Sequence, residues 1–333
     1  MKALVYLGPE QMAYQDVEPA KAAGADELLV SIKHSGICGS DMHAYLGHDE
    51  RRPAPLILGH EASGVVQTEG PWAGKKVAIN PLVACDTCDY CTSDRENLCP
   101  TRQIISMPPR EGAFAEAVYM PPGNLVEVPE GAPLWQAALT EPMACGWHTV
   151  KLSLAQARPR SSQLEAVVLG GGAIGVGAAL SLACQSPQAT IAVVEPNDLR
   201  RRRLEKDLPQ FRWAASDQEL GDLRPDVVID AVGYSATRAA ASAMVNPGGV
   251  IGHIGLGQAE GGLDVRRMTL QEITFIGTYT YTPADFRETA KAIFDGQFGD
   301  MAWVDPMGLS DGVQAFKDLR AGKIAGAKVL LNV

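Results

Sequence analysis

Residues 165–182 read EAVVLGGGAIGVGAALSL. An apolar run from Ala166 to Leu169 meets Gly170, Gly172 and Gly175 in GxGxxG spacing, and small residues follow from Ala173 and Ile174 onward. The pattern predicts a strand, a tight turn and a helix packed closely on a sheet. Gly170 permits the turn, Gly172 lets a pyrophosphate approach the backbone, and Gly175 lets the helix lie against the strand. The helix N-terminus at Ala173 and Ile174 then faces the phosphates. Next comes TIAVVEPN (190–197), a second strand ending at Glu195. A carboxylate there accepts hydrogen bonds from an adenosine ribose and repels a 2′-phosphate, which favours NAD over NADP. Arg200 pulls the other way, because a 2′-phosphate pocket also needs an arginine; Glu195 decides the preference. DVVIDAVG (226–233) and GGVIGHIGL (248–256), with a helical stretch between them, continue the alternation. The rhythm is that of a doubly wound parallel α/β sheet.

The rest of the chain bounds what this unit belongs to. Its 333 residues suggest about two domains, and 46% hydrophobic with 20% charged residues is an ordinary globular composition. A net charge of −10 repels phosphate backbones and anionic lipid, so neither nucleic acid nor membrane is an expected partner. The basic run Arg200 to Arg203 reads as the solvated face of a helix. Ala166 to Val194 carries no charge and matches a membrane span in length, but its glycines and Pro187 fit strand, turn and helix better. MKALVYLGPEQM lacks the features of a secretory signal, and the expected compartment is the cytoplasm.

Four of the seven cysteines crowd into CDTCDYCTSDRENLC, at Cys85, Cys88, Cys91 and Cys99. Separations of two, two and seven residues let one short loop wrap four thiolates around one ion, and soft tetrahedral ligands select zinc. A rubredoxin-like iron site or a thiol cluster is the rival reading. A closed four-sulfur site has no position for substrate, so this lobe is expected to be structural. Cys145 and Cys184 read as small buried hydrophobes.

Cys38 differs, because it lies in GICGSDMH (36–43), just after the strand-like ELLVSIKHSG, with Ser40, Asp41 and His43 close behind. LGHEASGVV (58–66) then brings His60 and Glu61 to the start of another strand, and ALTEPMACGWHTV (138–150) offers Glu141 before Pro142. Together they supply sulfur, nitrogen and oxygen donors for a site that keeps a position open. Arg51 and Arg52, in GHDERRPAPLI (47–57), are candidates for an anionic substrate group, against the reading of a solvated loop.

In this order the motifs resemble the zinc-containing medium-chain alcohol and polyol dehydrogenases, from GICGSDMH through LGHEASG, the four-cysteine segment, the Glu141–Pro142 pair and VVLGGGAIG. The closing GKIAGAKVLLNV (322–333) resembles that family's last strand. The resemblance implies an α/β plus β fold, with a GroES-like catalytic domain (1–147 and 283–333) and an inserted Rossmann domain (148–282) that binds NAD. It implies two zinc ions per chain, one structural and one catalytic. Cys38, His60 and Glu141 would hold the catalytic ion, and Glu61 would be the neighbouring carboxylate that binds it in some states. Ser40 is implied to receive the substrate proton and His43 to relay it to solvent. The Glu141–Pro142 pair is similar to sorbitol and threonine dehydrogenases, which tilts the expected reaction toward a secondary alcohol of the polyol type, oxidised reversibly to a ketone. An amino-acid alcohol, a sugar phosphate or an aldehyde is the alternative substrate, and a non-catalytic scaffold is the remote alternative. A homodimer or homotetramer is expected, with GGVIGHIGL as a candidate edge strand.

Overall fold

LLVSIKHSG alternates apolar with polar residues and forms the strand Leu28–Gly36, whose Val30 and Ile32 are buried. The computed structural model describes residues 1–333. Around that strand a sheet runs in the order Leu125–Glu127, Lys76–Ile79, Glu61–Val66, Leu28–Gly36, Lys328–Asn332, Val304–Gly308, and Ala117–Met120 also pairs with the central strand. The antiparallel register sets Gly36 opposite both Glu61 and Leu330. One strand therefore ends where two others begin.

At that junction the chain turns into the helix Gly39–Tyr45, capped by Cys38. Asp41 in its first turn accepts the Cys38 N–H at 3.0 Å and fixes the entry of the helix. Tyr45 at the other end packs on Phe316 of the helix Gly312–Arg320, with ring centroids 5.2 Å apart, and Phe114 meets the same ring edge-on at 6.1 Å. Leu4, Tyr6, Leu58 and Leu331 complete this core, each contributing roughly 1.5–3 kcal/mol by burial. These strands and helices belong to a unit made of Met1–Glu141, Thr282–Ile324 and Lys328–Val333.

The second unit, Pro142–Tyr281 with Ala325–Ala327, holds a six-stranded sheet. Its order is Arg212–Ala214, Thr190–Val194, Glu165–Leu169, Val227–Asp230, Val250–His253, Thr274–Gly277, and all the pairings are parallel. This is the doubly wound arrangement, which reverses direction between Glu165–Leu169 and Val227–Asp230. The uncharged stretch Ala166–Val194 resolves into a strand, the helix Ala173–Gln185 and a strand; no helix is long and apolar enough to cross a membrane. The crossing between units expected near 147 falls inside the helix Thr140–Gln156, after Glu141.

One expectation is corrected. The strand within GGVIGHIGL, Val250–His253, is paired on both sides and offers no edge. Successive crossovers of one hand place each new strand outward, so the edge falls to the later strand Thr274–Gly277.

Candidate functional site

The four-cysteine segment folds as a loop turned by left-handed residues at Asp86 and Asp94. Its sulfurs all lie within 4.8 Å of one another, with Cys85–Cys91 at 3.9 Å and Cys88–Cys91 at 3.5 Å. Sulfurs around a tetrahedral zinc with bonds of about 2.3 Å stand roughly 3.8 Å apart, so the loop fits that ion. The backbone N–H of Thr87, its hydroxyl and the N–H of Cys88 point at the Cys85 sulfur and bring its pKa down to about 5. Burial and the neighbouring thiols push Cys91 up to about 12.

At the strand junction, Cys38, His60 and Glu61 offer ligand atoms within 4.8 Å of one another. His60 Nδ1 faces Asp41 Oδ1 at 3.4 Å and the Ser106 hydroxyl at 3.4 Å, while Nε2 faces Ser40 Oγ at 3.5 Å. Nδ1 is thus oriented by a carboxylate, leaving Nε2 as the nitrogen that could ligate an ion. Burial pushes the Asp41 carboxyl up, but the charges of His60 and Arg52 and the Cys38 N–H outweigh this and hold it below its ordinary value. Burial disfavours a charged His60; Asp41 and Cys38 outweigh that and raise its pKa well above the usual imidazole value.

Glu61 Oε1 accepts a hydrogen bond from Lys328 Nζ at 2.6 Å, and the same ammonium donates to the Ile37 carbonyl at 2.8 Å. Burial works to lower the Lys328 pKa, and the charges of Glu61, Cys38 and Glu141 raise it overall. Glu61 Oε2 is buried with no hydrogen-bond partner. A Cβ on Gly36 would lie 2.0 Å from that oxygen, so glycine leaves it room. Asp41, Glu61 and Glu141 are all buried, and Lys328 and Arg52 are the buried cations that act on Glu61 and Asp41. A divalent ion answers the orphaned oxygen, and the donor set suits zinc. Glu141, at the start of the helix Thr140–Gln156, stands outside the cluster formed by Cys38, His60 and Glu61.

Ser40 and His43 lie three residues apart on the helix Gly39–Tyr45, so they share a face; His43 is exposed. Of the two arginines, Arg51 pairs with Asp49 at the surface at 2.8 Å. Arg52 is buried, joined to Asp49 at 2.6 Å and to the Ser106 carbonyl at 3.1 Å. The solvated-loop reading therefore holds for Arg51 and fails for Arg52.

In the second unit Gly170 adopts φ +102°, and a Cβ on Gly175 would fall 1.8 Å from the Gly170 carbonyl. A Cβ on Gly172 would meet nothing, so that side of the turn is open toward a ligand. Ala173 and Ile174 form the first helical turn, whose N–H groups have no partner within the helix. Glu195 is buried at its strand end, where Oε2 accepts the Gly171 N–H at 3.0 Å and Oε1 the Asn197 N–H at 2.8 Å. Arg200 Nη1 reaches Oε2 at 3.4 Å, which ties the two opposed specificity signals together. Asp230, opposite Leu169 in the sheet, accepts from the N–H groups of Val232 and Gly233 and from Thr237 and His253.

Sequence reasoning missed Lys328, Ser106 and Asp230. A lysine opening the apolar strand KVLLN was a usable signal, since a charge there must be paired if buried. Ser106 gives none in sequence, although its φ of 71° marks it in the structure.

Residues 24–130 match the alcohol dehydrogenase GroES-like domain and residues 175–295 match the zinc-binding dehydrogenase family. A probable D-xylulose reductase A of Arthroderma otae is 28% identical, aligning with 99% of this chain and 96% of its own length. The L-galactonate-5-dehydrogenase of Escherichia coli K12 is 29% identical, covering 89% and 88%. An alcohol dehydrogenase of Escherichia coli CFT073, solved with NADH, superposes with a TM-score of 0.88 at 22% identity over 100% of this chain and 99% of its own.

Proposed function

We propose that this chain, which belongs to the zinc-containing medium-chain dehydrogenases, oxidises a secondary alcohol of the polyol type to a ketone, reversibly, with NAD as hydride acceptor. The observation that carries the reading is the convergence of Cys38, His60 and Glu61 within 4.8 Å at a strand junction, with the Ser40 hydroxyl 3.5 Å from His60. The first unit is then the GroES-like catalytic domain and the second the NAD-binding Rossmann domain. Cys38 and His60 hold a zinc ion with a carboxylate, Glu61 in the cluster or Glu141 beside it; Cys85, Cys88, Cys91 and Cys99 hold a second, structural ion.

Catalytic zinc supplies a Lewis acid that stabilises negative charge on the substrate oxygen. Ser40 Oγ takes the hydroxyl proton, and the exposed His43, one helical turn on, passes it to solvent. Gly170, Gly172, Ala173, Ile174, Gly175, Glu195 and Arg200 would hold the dinucleotide, which would supply the acceptor for the hydride of the alcohol carbon. Arg51 and Arg52 share the single carboxylate of Asp49, and Arg52 is buried, so Arg52 is not presented at the surface as an anion clamp. Relatives named for D-xylulose and L-galactonate, both polyhydroxylated compounds, support a polyol-type substrate.

A homodimer or homotetramer belongs to the same proposal. The edge strand Thr274–Gly277 is open on one side, and Val265 and Leu270 just before it are exposed. So does a cytoplasmic location. The deciding experiment measures zinc content together with NAD reduction across polyols, sugar phosphates and simple secondary alcohols. Two zinc ions per chain with turnover on polyols is the expected result. One ion and no turnover on any alcohol overturns the catalytic assignment.

A further inference from the structure

We infer that Arg52 is the residue that positions the Ser40 hydroxyl for proton transfer. The inference rests on the proposed function and deepens it at the same site. Ser40 Oγ has two neighbours, His60 Nε2 at 3.5 Å and Arg52 Nη2 at 3.4 Å. A metal ion ligated by Nε2 removes the first of these as a hydrogen-bonding partner, which leaves Arg52 to fix the hydroxyl rotor.

The guanidinium is itself held from three sides. Its Nη1 donates to Asp49 at 2.6 Å and to the Ser40 carbonyl at 3.4 Å, and its Nε donates to the Ser106 carbonyl at 3.1 Å. Arg52 is 3% exposed, so the fork is locked by packing as well as by hydrogen bonds. The Ser106 backbone that it holds also carries the hydroxyl facing His60 Nδ1.

The chemistry of the two groups sets the consequence. A serine hydroxyl has one proton and two lone pairs, whereas arginine only donates and keeps its protons throughout the working pH range. With one lone pair of Ser40 engaged by Nη2–H, the other is free to accept the substrate proton while the Ser40 proton leaves along the relay. The contacts at 3.4 Å are long, as catalytic hydrogen bonds often are before substrate binds. Arg52 neither gives nor takes a proton, so it acts through Ser40 and is a positioning residue.

Arg52→Lys keeps the cation beside Asp49 and removes the planar fork that reaches Ser40. The test is a double-mutant cycle of Arg52→Lys with Ser40→Ala, with kcat, KM for the alcohol, zinc content and NADH affinity by fluorescence titration as readouts. The expected result is a kcat about tenfold lower for Arg52→Lys, with KM, zinc content and NADH affinity unchanged. In the Ser40→Ala background the same exchange should change kcat by less than about twofold, because its target is gone. An equal tenfold loss with and without the Ser40 hydroxyl overturns the inference and leaves the proposed function standing. Loss of zinc or of NADH binding in Arg52→Lys makes the residue a structural strut and overturns it too. Arg52→Met, run through the same cycle, keeps the result decisive if one variant fails to fold. A wild-type protein that reduces no NAD on any alcohol overturns both readings together.

Discussion

Replacing Lys328 by methionine removes the cation from a buried ion pair whose side chains are 3% and 0% exposed. At the 2.6 Å separation of Nζ and Glu61 Oε1, an effective dielectric of about 20 gives a gross attraction of about 6 kcal/mol. Taking both ions out of water offsets most of that, so the intact pair contributes little net stability. Breaking it is another matter. The variant leaves the Glu61 carboxylate and the Ile37 carbonyl buried and without their donor, which costs about 3–5 kcal/mol. The assay is equilibrium urea unfolding of protein stripped of metal by chelator, so that no ion compensates Glu61. Adding Glu61→Gln to Lys328→Met should recover most of the loss, since a neutral amide no longer needs the ammonium. A single-variant cost below about 1 kcal/mol, the value of an exposed pair, would refute the reasoning.

Further outcomes follow from the other parts of the molecule. Cys99→Ser should lower zinc content by one ion per chain and expose the loop 85–99 to limited proteolysis, because Cys99 is a buried member of the sulfur cluster; unchanged metal content would rule out the four-sulfur site. Glu195→Gln should raise kcat/KM for NADP relative to NAD by at least about fivefold, since one charge repulsion of roughly 1–4 kcal/mol disappears; an unchanged ratio would remove Glu195 from cofactor discrimination. Asp230 gives a pH test. Burial pushes its carboxyl up, but His253, the N–H groups of Gly233 and Val232, and Thr237 hold it below its ordinary value. A folded pKa below the unfolded value of about 3.9 means the stabilisation is complete above that pH and is lost as pH falls through the folded pKa. Asp230→Asn should therefore be less stable than wild type at pH 7 by about 1–3 kcal/mol, and the gap in thermal melts should close below about pH 4. A gap of constant size would show that the charge is not what matters.

The features legible in sequence were those whose parts lie close along the chain. The four cysteines span fifteen positions from Cys85 to Cys99, and their spacing alone dictates convergence. Gly170, Gly172 and Gly175 sit on one turn, so their roles follow from backbone geometry without knowledge of the rest. Lys328 was not legible, because its partner Glu61 is 267 residues away and only the register through Gly36 and Leu330 joins them. Arg52 was legible as a charge and not as a location: the polar loop GHDERRPAPLI gives no sign that one of its two arginines is buried. The edge strand was misplaced for a related reason. Val250–His253 and Thr274–Gly277 are both short and largely apolar, and the crossovers between them, rather than composition, decide which lies outermost.

The junction of three strand starts and ends has a consequence for how the protein is made. Gly36 and Glu61 leave the ribosome early, and the ammonium that must accompany Glu61 into the interior follows 267 residues later. At roughly 5–20 residues per second that delay is on the order of 10–50 s. The main segment of the second unit, Pro142–Tyr281, is completed within that interval, and only its short piece Ala325–Ala327 comes later. The first unit waits for a whole strand. The buried pair of Glu61 with Lys328 can form only once the strand Lys328–Asn332 has been made, so the strand junction is among the last parts of the fold to close.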